Sequence, residues 1–167
     1  MAVPETVAAL IISQEHGPRY LLAQRTGSLE TNRWGPPGGH IRLHEPPNAA
    51  VQREIWEETG LWIPETDLTS LGKGKQYFTV NEQAFLLYGF AILHNPPMGQ
   101  PSRRDSHHKD WSWIPASEVT DPNFPLCLSA VALLHAYRFY LAHQRRISED
   151  LCQLNFMPNL TARRLTP

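Results

Sequence analysis

Hydrophobic positions along this chain change rhythm several times, and each change predicts an element. Thr6 to Ser13 is an unbroken β-branched and apolar run, which predicts a buried strand. The turn His16-Gly17-Pro18 then leads into Arg19 to Arg25, so the two segments predict a hairpin. Residues 26–45 carry Gly27, Gly35, Pro36, Pro37, Gly38 and Gly39 and read as loop. Pro46 to Thr59 has helical spacing, with prolines in the first turn and Gly60 as a C-terminal stop. Gln76 to Val80 and Ala84 to Leu93 are aromatic and aliphatic strands around a short polar turn. His94 to Asp110 is a Pro- and charge-rich loop, Trp111 to Ile114 a short strand, and Pro115 to Val119 a helical turn. Leu126 to Arg146 predicts a long amphipathic helix covering or pairing with other apolar surface.

No internal repeat appears, and strands and helices mix without regular βαβ alternation. That pattern predicts an α+β fold or a layered α/β/α domain. The expected division is one domain over residues 1–147 and a weakly ordered C-terminal tail over 148–167.

Composition narrows the class. At 167 residues and 41% hydrophobic the chain can bury one substantial core, which excludes global disorder. Fifteen Lys and Arg against sixteen Asp and Glu leave a net charge of −1, so there is no whole-chain electrostatic footprint for a nucleic-acid polymer or an anionic membrane. Fifteen prolines, scattered rather than clustered, predict rigid loops. Cys127 and Cys152 match no metal spacing and no disulfide framework, although a single bridge between them stays open. The start MAVPETVAALIIS has no basic segment and no cleavage pattern, and the apolar run Ala84 to Leu93 is about half a membrane span. A soluble, cytoplasmic protein is the expectation.

The chemistry concentrates in GGHIRLHEPPNAAVQREIWEETGL, residues 38–61. On a helix Glu54, Glu57 and Glu58 stand at i, i+3 and i+4, so three carboxylates share one face. Like charges at that spacing cost a few tenths of a kcal/mol per pair, roughly, in isolated helices. A hard divalent cation, Mg²⁺ or Mn²⁺, offsets such a cost because it prefers clustered carboxylate and carbonyl oxygens. Arg53, one turn from Glu57, is placed to orient a carboxylate, and Glu45 lies near the helix N-terminus. Gly38 and Gly39 let the backbone approach a metal or phosphate closely. The alternative reading of the same residues is a solvated helix face with Glu–Arg pairs.

This stretch resembles the Nudix box, Gly-x5-Glu-x7-Arg-Glu-apolar-x-Glu-Glu-x-Gly-apolar, and reads Gly39, Glu45, Arg53, Glu54, Ile55, Trp56, Glu57, Glu58, Thr59, Gly60, Leu61 with no fixed position missed. Its surroundings (Arg25, Trp34 to Pro37, and Trp111-Ser112-Trp113-Ile114-Pro115) are similar to MutT-like members over roughly residues 5–120. The resemblance implies an α+β fold, an α/β/α sandwich around a mixed β-sheet, with the box as loop-helix-loop. It further implies Mg²⁺-dependent hydrolysis, with Mn²⁺ as an alternative, of a nucleoside diphosphate linked to another group. Glu54, Glu57 and Glu58 match the metal-binding and catalytic acids, and the Gly39 carbonyl matches a backbone ligand. Arg53 and Glu45 match the supporting pair. Arg25, Trp34 and Gly38 match substrate-side positions; Arg25 reads equally as a strand-end charge, and Trp34 as packing under the loop. Glu54 is the in-box choice for general base. Asp105 and Asp110 stand where a further acid often sits, or else balance Arg103, Arg104 and Lys109.

Two departures bear on the substrate. Many members have an acid at the position of Arg42 and a Gly at that of His44, and Pro46-Pro47 replaces the usual small polar cap. None of these removes a metal ligand. Tyr77 falls at the offset of a tyrosine that marks dinucleoside-polyphosphate hydrolases, but with several aromatics in the region chance is the better explanation. The signature of NADH-cleaving members is absent. His107-His108 reads as a metal ligand pair or a mobile loop, and Arg145-Arg146 at the end of the long helix as dimer support or sheet cover. The favoured activity is conversion of a nucleoside or deoxynucleoside triphosphate to the monophosphate and pyrophosphate. The alternatives are a nucleotide-sugar or dinucleoside-polyphosphate hydrolase, and a non-catalytic nucleotide-binding module on the same fold. The partner in each case is a small nucleotide, with a homodimer as an option.

Overall fold

A computed structural model of the chain describes residues 3–27, 30–78, 83–94, 99–102, 104 and 107–155. Its spine is β1 (Glu5–Ser13), whose residues alternate between two apolar cores. Val7, Ala9 and Ile11 point into one core, and Ala8, Leu10 and Ile12 into the other. Period-two alternation with both sets apolar is what a strand covered on both faces requires. The first core holds Ala50, Val51 and Ile55 of α1 (Pro47–Thr59), and the second holds Val119 of the short α2 (Ala116–Val119) with Leu133 and Leu134 of α3 (Leu128–Asn155). A helix therefore packs on each face of the sheet, which is the layered α+β arrangement the pattern predicts.

The sheet is mixed. β1 runs parallel to β6 (Gln83–His94) from Glu5–Leu86 to Ser13–His94, and β6 pairs antiparallel with the edge strand β5 (Thr69–Phe78). The opposite edge of β1 is shared. Its first half pairs antiparallel with β4 (Gly38–His40), and its last residues pair with β2 (Arg19–Gln24). Along β2, the first half pairs with β7 (Ser112–Pro115) and the end pairs with β3 (Trp34–Gly35). Splitting one edge between two short partners opens a cleft where β2 and β4 diverge, and the C-terminal half of α1 lies beside it.

Several elements depart from the pattern-based expectation. Residues 34–40, expected as loop, contain β3 and β4, separated by Pro36-Pro37, and Ala9 N donates to the Pro37 carbonyl at 3.0 Å. These strands are too short to show a period. β5 starts at Thr69 rather than Gln76, because Gly72, Lys73, Gly74 and Lys75 dilute the apolar signal in an edge strand, and Gly72 takes a positive φ of 90° at a bulge. Val80 lies outside the described residues. α3 continues to Asn155, past the expected end at Arg146. Cys127 is a free, buried thiol. Among the described residues no helix is long and apolar enough to cross a membrane.

Candidate active site

α1 begins at Pro47 after an extended Pro46, which donates no side-chain cap. Proline fits there because the first helical N–H groups have no intrahelical acceptor. The helix ends in Gly60 at φ 75°, whose N–H donates to the Trp56 carbonyl. The last turn is tied down from outside: Trp111 Nε1 and the Arg104 N–H both donate to the Glu58 carbonyl, at 3.0 and 3.2 Å, and Ser102 N–H donates to Thr59 O. Arg104 also stacks over the Trp56 ring at 4.4 Å. These contacts fix the register of Glu54, Glu57 and Glu58, which all line one cleft of about 480 Å³.

Arg53 organises the acids. Its Nε and Nη2 donate to the two oxygens of Glu45 at 2.7 and 2.8 Å, a bidentate pair. Nη1 donates to Glu54 at 2.7 Å and to Glu57 at 3.1 Å, and Nη2 also donates to the His40 carbonyl at 3.0 Å. Every N–H of the guanidinium therefore has an acceptor. The hydrogen bond from Arg53 holds the Glu45 carboxyl down at about 2, and the same bond pushes the Arg53 pKa further up. Glu57 is also held from the rim, where Arg42 Nη2 donates to its Oε1 at 3.0 Å. Glu58 accepts from the Gly38 N–H at 2.9 Å, and His108 Nδ1 lies 3.7 Å from its other oxygen.

The glycines are required by space. A Cβ on Gly39 would lie 2.6 Å from the Glu54 carboxyl, and one on Gly38 would lie 2.2 Å from the Val7 carbonyl. Gly38 thus permits the close β4–β1 pairing, while Gly39 leaves room for the Glu54 head group.

The residues predicted from sequence distribute as follows. Glu54, Glu57, Glu58, Arg53, Gly38, Gly39 and Arg25 all line the cleft, with Glu45 behind Arg53. Arg25 pairs through its backbone with His108 and has no ion-pair partner among the described residues. Trp34 stands elsewhere: its ring stacks on Phe124 at 5.9 Å within the α3-side core, and its backbone is bracketed by Pro125 and Cys127. Asp110 is exposed and does not line the cleft, and Asp105 lies outside the described residues. His107-His108, read as metal ligand or mobile loop, forms an extended segment beside the end of β2, with Thr26 N–H donating to His107 O at 2.8 Å. His108 is buried against Trp111. Phe85, one of four strand aromatics (with Tyr77, Phe78 and Tyr88) that the sequence offers either as a base-stacking residue or as core, also lines the cleft, and sequence reasoning assigned no site role to His40, Leu87 and Ser129, which line it too. Phe85 and Leu87 come into the cleft through the β1–β6 register, which has no local signature.

A hard cation fits this donor set by chemistry: carboxylate oxygens with backbone at Gly39 suit Mg²⁺ or Mn²⁺. Among the described residues no three such side chains already stand in ligand geometry, and Arg53, Arg42 and the Gly38 N–H each hold an oxygen of the trio.

Comparison with known proteins decides the family. The NUDIX domain model matches residues 3–132. The chain belongs to the NUDIX domain family. It is 28% identical over 116 residues to a MutT-like protein of Streptomyces ambofaciens, covering 70% of this chain and 66% of that one. It is 39% identical over 59 residues to the human m7GpppN-mRNA hydrolase NUDT17, covering 35% of this chain and 18% of that one. The chain thus spans about two thirds of the first relative and less than a fifth of the second. Two solved NUDIX structures share the fold. The MutT NUDIX hydrolase of Burkholderia pseudomallei has a TM-score of 0.69 at 24% identity, over 81% of this chain and 98% of that one. The NUDIX domain of Shewanella oneidensis NrtR, complexed with ADP ribose, has a TM-score of 0.72 at 22% identity, over 84% and 90%.

Proposed function

We propose that this NUDIX protein is a divalent-metal-dependent hydrolase that cleaves the pyrophosphate bond of a nucleoside diphosphate linked to another group. The reading rests on Glu54, Glu57 and Glu58 lining one cleft that Arg25 also lines, a cation with no ion-pair partner among the described residues. Glu54, Glu57, Glu58 and the Gly39 carbonyl would hold Mg²⁺ or Mn²⁺. The bound metal would neutralise the diphosphate charge and favour attack by water. Arg25 contacts a phosphate, because a guanidinium presents paired donors to phosphate oxygens. Glu54 takes the proton of the attacking water; one P–O bond forms from water, and the bond to the bridging oxygen breaks. Glu45 keeps Arg53 fixed, and Arg53 keeps Glu54 aimed at the cleft.

A nucleoside or deoxynucleoside triphosphate, released as monophosphate and pyrophosphate, is the first substrate class, supported by the MutT-like relative. The similarity to an mRNA-cap hydrolase supports a second class, a dinucleoside polyphosphate or capped nucleotide. Phosphate and pyrophosphate release from a panel spanning both classes, with and without Mg²⁺, tests the reading, with Glu57→Gln plus Glu58→Gln as the control. Mg²⁺-dependent turnover lost in the double variant supports the mechanism, and the best substrate assigns the class. Saturable nucleotide binding with no turnover would replace hydrolysis with a binding role.

A further inference from the structure

Among the described residues two guanidinium groups hold Glu57, and the two holders are unequal. Arg53 is anchored by its bidentate bond to Glu45 and by the His40 carbonyl, with its side chain only 15% exposed. Arg42 has a single side-chain bond, 3.0 Å to Glu57 Oε1, and is 64% exposed. Its backbone is nevertheless fixed, since the Arg42 N–H donates to Glu45 Oε2 at 2.9 Å. The Arg42 root is therefore steady while its head group sits in an exposed pair, a weakly held type. A divalent cation taking Glu57 oxygens must displace a guanidinium, and Arg42 is the one that yields at small cost.

We propose that Arg42 is a metal-released phosphate arm. In metal-free protein it closes on Glu57. Once Glu57 turns to a divalent cation, the Arg42 guanidinium is freed on the rim of the same cleft, opposite the charge of an incoming diphosphate. The guanidinium stays charged at any working pH and offers forked donors to phosphate. The inference rests on the metal-site reading above and adds a residue to it: Arg42 inhibits metal binding in the empty protein and assists substrate binding in the loaded one.

The test uses Mn²⁺ alone, followed by electron paramagnetic resonance, with wild type, Arg42→Ala and Arg25→Ala. Arg25→Ala removes a cleft cation that makes no ion pair with the trio, so it reports the general field. Arg42→Ala binds Mn²⁺ about threefold to fivefold tighter than wild type, and Arg25→Ala less so. Equal tightening in both variants overturns the latch, as does unchanged affinity in Arg42→Ala. Absence of Mn²⁺ binding in wild type overturns the metal site itself and the inference with it. In Mg²⁺-loaded protein, inorganic pyrophosphate then binds Arg42→Ala about tenfold more weakly by calorimetry. Undiminished pyrophosphate affinity overturns the arm.

Discussion

Replacing Arg53 with Gln tests whether this residue is the structural centre of the acidic cleft. The change leaves Glu45 without its cation, in a pair where both side chains are only 15% exposed. Breaking a buried pair from one side costs about 3–5 kcal/mol, and the residual water access here places the loss near the lower figure, about 3 kcal/mol. For a domain of this size each kcal/mol moves the melting temperature by roughly 2–4 °C, so the expected fall is about 6–12 °C. The pH dependence gives an independent check. Glu45 titrates at about 2 in the folded protein against an ordinary 4.5, so its stabilisation is fully present above pH 4.5. It is lost as pH falls through about 2. The wild-type advantage over Arg53→Gln should therefore be largest near neutrality and shrink steadily below pH 4.5. Thermal unfolding followed by circular dichroism in chelator, from pH 7 down to pH 3, measures both quantities. A fall of less than about 2 °C at pH 7 would refute the argument, as would a gap that does not narrow with acid.

The two box glycines should respond differently to alanine. Gly39→Ala pushes the flexible Glu54 head group aside, so it should keep most of the stability and lose about tenfold or more in turnover, read by parallel melting and activity assays. Gly38→Ala meets the Val7 and Ala8 backbone instead and should unfold several degrees lower, with loss of amide protection in β1 and β4 by hydrogen exchange. His44 sits at φ 64°, a left-handed conformation that glycine adopts freely, so His44→Gly should raise stability by up to about 1 kcal/mol in a urea titration. Trp111→Phe keeps an aromatic ring but loses the fused five-membered ring and its Nε1–Glu58 carbonyl bond, a loss of at least about 1 kcal/mol that calorimetric melting can resolve.

What could be read from the sequence followed from the range of the interactions. The trio of acids was legible because helical spacing alone puts Glu54, Glu57 and Glu58 on one side of α1, and the apolar Ala50, Val51 and Ile55 set which side is buried. The two-faced strand β1 was legible for the same reason, since its rhythm is local. The rest of the cleft was hidden because pairings across the chain build it: His108 arrives beside Arg25, and Phe85 and Leu87 through the parallel register with β1. Trp34 shows the converse. Its neighbours in sequence suggested the cleft, yet backbone bonds to Pro125 and Cys127 turn its ring onto Phe124 in the other core.

Arg42 falls between these cases. Its charge was visible in the sequence as a departure from the usual acid at that position, but charge alone does not say what it faces. The turn before α1 decides that, because Glu45 fixes both the Arg42 backbone and the Arg53 fork. A basic residue there consequently lands on Glu57, where an acid would have added to the repulsion among the trio. The substitution thus changes the sign of one group in the cleft while leaving Glu54, Glu57 and Glu58 in place, so it acts on the charge balance of the cleft.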